Sequence, residues 1–345
     1  MSEATSGKRN ATMRDVAERA GVSVQTVSNL VNGRSHLMSP ETQERVTQAM
    51  VVLEYRPNAS ARGLRSARTR ELGFLLLDDD AKFLADPMTD MVMAGAGDLT
   101  REQGYGLLIQ SARLGEIDDG LLRPLLESRV DGAILYLSGE PNSRNAYVRR
   151  VAELGRPSVV FGEEREGTLP SVTAANFDGA FKLVNHLLER GHKRIAFVAA
   201  RTSWPMIEER YSGYRAALQA ASIEPARELQ LFRGRWDATS GAEMADTLLE
   251  LREPPTAIMA ANDLLALGVM RTVRLRSMRV PDDIAVSGFN DFDFSAFVEP
   301  ALTTVSLPVY EMGRAAAEVV IDRLEGKETP ESRSFPVEVL LRDST

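Results

Sequence analysis

From Glu71 onward the chain alternates short apolar runs with amphipathic ones, and this constrains its fold more than any other feature. "LGFLLL", "GLLIQ", "GAILYL" and "PSVVF" are separated by "TDMVMAGAGDLTREQ", "DDGLLRPLLES" and "AYVRRVAEL". After a loop the pattern resumes with "FDGAFKLVNHLLERG", "RIAFVA", "EERYSGYRAALQAA", "LQLF", "GAEMADTLLELR", "AIMA", "DLLALGVMRTVR" and "IAVSGF". Short strand-type runs joined by helix-length segments predict parallel sheets built from right-handed βαβ crossovers. The units are too many for one compact sheet, so two adjacent α/β subdomains are expected, with a break near residues 162–171.

The first seventy residues have another texture. Thr12 with Asp15 has capping-box spacing, and Val16, Ala17 and Ala20 fall on one face of the helix that follows. Gly21 ends it, and Ser23 can cap a second helix with Val27, Leu30 and Val31 inward and Gln25, Thr26, Ser28 and Asn29 outward. Ser39 with Pro40 opens a third, with Val46, Ala49, Met50 and Leu53 inward, and "RPN" ends it. Asn58 can cap the brief segment "ASARGLRS", which is too short to hold a helix alone in water.

Charge divides the same way. Residues 1–70 carry 11 Lys/Arg against 6 Asp/Glu, and the rest carries 30 against 43. A basic head on an acidic body points to a polyanion met by the head alone, although a solvated basic tail has the same balance. No apolar run reaches the ~18 residues of a membrane helix, and "MSEATSGKRNAT" lacks a secretory core. A cytoplasmic protein without membrane contact is expected. With no cysteine there is no thiolate metal site or cysteine nucleophile.

Catalytic signatures are missing too. "AGAGDLT" has Gly95 and Gly97 but Thr100 where a third glycine would stand, and it lies in a helix-like run. No GxxxxGK[ST] is present, and His36, His186 and His192 form no triad or metal spacing. The expectation is a protein that is not an enzyme and needs no cofactor or metal.

A helix pair like that of residues 12–31 is as often a packing hairpin as a DNA reader. Its company decides: "TMRDVAERAGVSVQTVSNLVNG", "SPETQERVTQAMVVLEYRPNASARGLRS", "ANDLLALGVMR", "RVPDDIAVSGFND" and "PALTTV" resemble the lactose/purine repressor (LacI/GalR) family in order and spacing. The resemblance implies a helix-turn-helix head over residues 1–57, a hinge helix and linker over 58–70, and a core of two periplasmic-binding-protein-like subdomains over 71–345. The expected N-subdomain covers about 71–170 and 304–333, and the C-subdomain about 171–303 and 334–345.

The resemblance also implies roles. Val24, Gln25 and Asn29 occupy base-reading positions; amides suit adenine edges and Val24 a thymine methyl. Ser23, Thr26, Ser28, Asn32, His36, Tyr55 and Asn58 match backbone-contact positions, which set register without reading sequence. Ala61 and Leu64 match the hinge positions in the minor groove, where Leu64 would wedge into a base step. For the effector, the matching residues are Phe161, Arg210, Trp236, Asn262, Asp263 and Asn290. Aromatic faces with Asn, Asp and Arg suit a sugar or sugar derivative. Taken singly these are also an ordinary surface arginine, a core tryptophan and a helix-capping "ND".

The resemblance implies a repressor that binds a pseudo-palindromic double-stranded operator as a homodimer, with the apolar face of "EMGRAAAEVVIDRL" in the dimer contact. Two departures stand out. Asn290 replaces a frequent aspartate in "GFND", and Gly162 stands where the family commonly has a polar or acidic residue. In the acidic loop "LDDDAKFLADPMTD", Asp80, Phe83 and Asp86 are more simply read as solvated loop residues than as pocket lining.

Overall fold

The computed structural model describes residues 11–31, 33–55, 68–78, 86–113, 120–165 and 167–345. The chain divides into two units, residues 1–69 and 70–345. Asn32, Asn58, Ala61, Leu64, Asp80 and Phe83 lie outside the described residues.

The head begins with α1, Met13–Ala20, entered through a reciprocal capping box between Thr12 and Asp15 and ended by Gly21 in the left-handed region at φ 62°. Helix α2, Val24–Val31, is capped by Ser23, whose Oγ accepts from the Thr26 amide at 3.1 Å. Helix α3, Pro40–Val52, starts at Ser39, which accepts from the Thr42 amide. Val16, Ala17, Ala20, Val27, Val46 and Ala49 close a small core, with Leu30, Val31, Met50, Leu53 and Tyr55 packed at its margin. The caps satisfy amides that helix ends leave open, which lets such short helices persist once their apolar faces meet.

The larger unit opens with β1, Glu71–Leu77, and α4, Pro87–Glu102, then β2, Gly106–Ala112. The short helix α5, Arg123–Leu126, leads to β3, Gly132–Leu137; α6, Pro141–Glu153, leads to β4, Ser158–Phe161, and then β5, Ser171–Ala174. The second half runs α7, Asn176–Glu189; β6, Ile195–Ala199; α8, Pro205–Ala220; β7, Gln230–Phe232; α9, Ala238–Leu249. It continues with β8, Ala257–Ala260; α10, Asp263–Leu275; β9, Ala285–Ser287; and β10, Thr304–Ser306. The last elements are α11, Val309–Leu324; β11, Ser332–Phe335; and β12, Glu338–Leu340.

Two parallel sheets result, ordered β11-β5-β4-β3-β1-β2 and β7-β6-β8-β9, with an antiparallel β10–β12 ribbon. Strand β1 is buried along nearly its whole length, as expected of a parallel strand covered on both faces. Helices α4 and α11 pack together so closely that a Cβ on Gly95 would lie 2.0 Å from the Tyr310 carbonyl oxygen. Gly95 is thus a packing glycine of α4.

The two-subdomain α/β core matches the expectation, but its boundaries move. Strand β5 pairs with β4 and β11, so the first crossing falls after Ala174 rather than at residue 170. All of β11 pairs in the first sheet, through Phe335, and β10 joins β12 instead of that sheet. Strand runs are visible in sequence, whereas ladder partners are chosen by tertiary packing. A second correction concerns "EMGRAAAEVVIDRL": Met312, Ala315, Ala316, Val319, Val320 and Ile321 are buried inside the protomer. That face is occupied by the chain's own core.

Candidate effector cleft and DNA-reading helix

Open α/β sheets present ligand sites at the carboxyl ends of their strands, where helix starts and loops converge. Here Tyr136 is the penultimate residue of β3, Asn262 follows β8, Asn290 follows β9, and Trp236 lies between β7 and α9. Helix α8 brings Trp204, Met206, Ile207 and Arg210, and the start of α4 brings Asp86 and Met88. These ten side chains line one cavity of about 30 Å³ between the two halves of the core.

Arg210 is 1% exposed. Its Nε donates to Asn176 Oδ1 at 2.9 Å, its Nη1 donates to the Ala261 carbonyl at 2.7 Å, and its guanidinium lies 3.8 Å from the centre of the Phe289 ring. Burial pulls its pKa down to about 9. Among the described residues, Arg210 Nη2, Trp236 Nε1 and Asn290 Oδ1 are buried without hydrogen-bond partners. Such groups are costly in a finished core, and these three converge on one cavity.

Arg210, Trp236, Asn262 and Asn290 thus line one cavity together. Asn262 also caps α10, with Oδ1 accepting from the Leu265 amide at 2.9 Å, so only its amide nitrogen is left for a ligand. Asp263 is a correction. Its carboxylate accepts from the Phe292 amide, Ser295 Oγ and Thr304 Oγ1 at 2.8, 2.9 and 2.6 Å, and it is outside the cavity lining. It ties α10 to the segments after β9. Burial pushes its carboxyl up to about 6, against the three hydrogen bonds.

Phe161 is a second correction. It lies behind Tyr136, edge-on at 5.3 Å, and takes no part in the lining. Tyr136 reaches the cavity instead and packs against Trp204, with ring centres 4.4 Å apart and planes tilted by 40°. Asp86 lines the cavity too, contrary to its reading as a solvated loop charge, and its Oδ1 caps α4 through the Met88 amide at 3.0 Å. Tyr136, Trp204, Met206, Ile207 and Met88 escaped the sequence reading; the position of Tyr136 at a strand's carboxyl end was the available signal. Gly162, in the left-handed region at φ +80°, leaves the space that Met206 enters, since a Cβ there would lie 2.5 Å from Met206 Cε.

An ion cluster joins the two halves beside this site. Arg144 on α6 bonds Glu163 at 3.2 Å and Glu208 of α8 at 3.3 Å, and donates to the Gly139 carbonyl. Arg165 holds the other oxygen of Glu163 at 2.7 Å, and Ser203 donates to Glu208 at 2.6 Å.

In the head, Val24 is 43% exposed, Gln25 is exposed and Asn29 is half-buried. Gln25 Nε2 donates to Asn29 Oδ1 at 3.1 Å, one turn apart on the same face. Ser23 and His36 are exposed, while Thr26 and Tyr55 are half-buried. Ser28 is a further correction: at 3% exposure it belongs to the inner face beside Val27, not to the accessible side of α2.

Among the described residues no group of His, Asp and Glu is arranged to hold a metal ion, and no helix is long and apolar enough to cross a membrane. The profile of bacterial regulatory proteins of the lacI family matches residues 12–58, and that of the periplasmic binding protein-like domain matches residues 184–345. Catabolite control protein A of Priestia megaterium is 33% identical over 341 residues, covering 97% of this chain and 99% of that protein. A structure of the lac repressor dimer bound to operator and the anti-inducer ONPF aligns with a TM-score of 0.86 at 27% identity, covering 97% of this chain and 99% of that one. The transcriptional regulator CelR–cellobiose complex aligns with a TM-score of 0.72 at 30% identity, covering 97% and 100%. With its helix-turn-helix head, its two-sheet core and these relatives spanning nearly its whole length, the chain belongs to the LacI family of DNA-binding transcriptional repressors regulated by effector binding.

Proposed function

We propose that this repressor binds a pseudo-palindromic operator as a homodimer and changes its hold on DNA when a small molecule enters the cleft lined by Arg210, Trp236, Asn262 and Asn290. The unpartnered buried atoms of that cleft carry the reading, because a polar ligand entering the cavity would complete them. In the head, Val24, Gln25 and Asn29 read bases in the major groove, and Ser23, Thr26, Asn32, His36, Tyr55 and Asn58 fix the register on phosphates. Ala61 and Leu64 enter the minor groove between half-sites, with Leu64 as the wedge. Dimeric operator binding is supported by the lac repressor dimer seen on its operator.

The effector is a sugar or sugar derivative. The cellobiose complex of CelR supports this reading, as do the three aromatic rings, which suit the C–H faces of a pyranose. Ligand binding in the cleft alters the angle between the subdomains and so the spacing of the two hinge segments in a dimer. Operator and effector are then coupled reciprocally, typically by about 1–3 kcal/mol.

Fluorescence anisotropy with the DNA upstream of the protein's own gene tests the proposal. Wild type should bind this fragment more tightly than a scrambled one, with affinity falling steeply as salt rises. Gln25→Ala with Asn29→Ala should remove the discrimination and leave the salt-dependent remainder. Equal binding of both fragments by wild type would refute operator recognition. Unchanged affinity in Leu64→Ala would remove the wedge.

A further inference from the structure

Resting on that reading of the cleft, we infer that the effector carries a carboxylate, which docks on Arg210 and Trp236 while its ring lies against Tyr136 and Trp204. The first ground is charge. Arg210 is fully buried, yet among the described residues its hydrogen-bond partners are an amide oxygen, a backbone carbonyl and a ring face, all neutral. The carboxylates of Asp263, Glu209 and Asp86 act on it through space without bonding it, and an anion brought by the ligand would give it a direct partner.

The second ground is the balance of donors and acceptors. Arg210 Nη2 and Trp236 Nε1 are donors in want of an acceptor, and Asn262 offers only its amide nitrogen. A hydroxyl arrives with a proton that itself needs an acceptor, whereas a carboxylate only accepts. One unpartnered acceptor, Asn290 Oδ1, is left for a single hydroxyl or N–H elsewhere on the ligand.

The third ground is the remaining wall. Met88, Met206 and Ile207 complete it, and Gly162 contributes no side chain, its space being occupied by Met206. One carboxylate, Asp86, does line the cavity. It caps α4, a helix of 16 residues whose amino-terminal dipole offsets its charge, and it belongs to the opposite subdomain from Arg210. Within the sugar reading above, the ligand class is therefore a sugar acid; an aryl carboxylate is the outcome that would keep the carboxylate and replace the sugar.

The chain has two tryptophans, Trp204 and Trp236, and both line the cavity, so intrinsic fluorescence of the full-length protein reports occupancy. Matched pairs supply the test: glucuronate and galacturonate against glucose and galactose, and benzoate and phenylacetate against benzyl alcohol. At least one acid should give a saturable change at about tenfold lower concentration than its neutral partner. Uronates responding alone identify sugar acids, and aromatic acids responding alone identify aryl carboxylates; either result supports the carboxylate. Arg210→Gln should abolish the response. Should that variant fail to fold, Arg210→Lys, which keeps the charge and loses the fork, should weaken acid binding, and Asp86→Asn should strengthen it.

Neutral sugars binding as well as or better than their acids would overturn the carboxylate while leaving the effector cleft in place. Silence from every acid would overturn it as well. A compound that changes operator affinity without changing tryptophan fluorescence would instead move the effector site out of the cleft.

Discussion

Two regions of this molecule hold reading groups in opposite states. On α2, Gln25 and Asn29 stand on the accessible face of the helix and bond to each other. In the cleft, Arg210, Trp236 and Asn290 are shielded from water, and each keeps a polar atom without a partner among the described residues. The DNA-reading face is satisfied by its own amides and solvent, so it costs the fold little. The cleft carries a standing penalty that its ligand would relieve, so binding and stability should be linked there and separable in the head.

The strongest test of that contrast concerns a residue beside the cleft that is fully satisfied. Asp263 accepts three hydrogen bonds from buried donors. Asp263→Ala would leave all three unpaired and should lower the stability of the core by about 3–5 kcal/mol. Urea denaturation of the full chain measures it. A loss below about 1 kcal/mol would show that these groups find other partners, and that polar satisfaction near the cleft matters less than argued.

The same residue shows what the sequence could reveal. The parallel sheets were legible because strands covered on both faces leave unbroken apolar runs such as "LGFLLL". The caps at Thr12, Ser23 and Ser39 were legible because a cap and its helix are neighbours in sequence. The role of Asp263 is hidden in the sequence because its partners Ser295 and Thr304 are 32 and 41 positions away, and nothing local announces them. Tyr136 and Trp204 were missed for a related reason: an aromatic residue at the end of an apolar run looks like core until the second subdomain is placed against it. Ser28 reads as outward by its polarity, although it lies beside the fully buried Val27 on the inner side of α2. Strand β5 was assigned to the wrong side of the break because a ladder partner 161 positions away, as in the Ser171–Ser332 contact, leaves no trace in the run itself.

In the head, Asn29→Ala should cost about 1–3 kcal/mol of operator affinity and nothing measurable in core stability. Because Gln25 and Asn29 bond to each other, Gln25→Ala and the double variant should not sum to independent losses. An anisotropy double-mutant cycle returning strict additivity would mean that the pair reads bases separately. A core destabilised by Asn29→Ala would dissolve the contrast between the two regions.

The buried side of the comparison can be probed with pH. Burial pushes the Glu209 carboxyl, next to Arg210 on α8, from the ordinary 4.5 to about 7, and Asp263 moves up to about 6. Both folded values lie above the unfolded ones, so the native state holds protons that the unfolded chain releases. Their contribution is complete below the unfolded values and is lost as pH rises through the folded ones. Core stability should therefore fall by about 1–3 kcal/mol between about pH 5 and about pH 8. Glu209→Gln should remove most of that slope; an unaltered slope would assign it to other groups.

The smallest expected effect isolates the cost of an unfilled site. Asn290 adopts φ 107°, where residues other than glycine are strained, and its Oδ1 is buried without a described partner. Its backbone amide donates to the Val305 carbonyl at 2.9 Å, a bond that any residue can keep. Asn290→Gly should thus relieve the strain and delete the unpartnered acceptor, against an added entropy in the unfolded chain of about 0.5–1 kcal/mol. The balance is a gain of about 1 kcal/mol in stability, read as a higher urea midpoint with an unchanged slope. The tryptophan response to whichever carboxylate binds wild type should weaken in the same variant, since the ligand loses its one acceptor. A variant that gains stability while losing ligand shows that the wild-type cleft is kept strained for its effector, whereas loss of both would make Asn290 an ordinary packing residue.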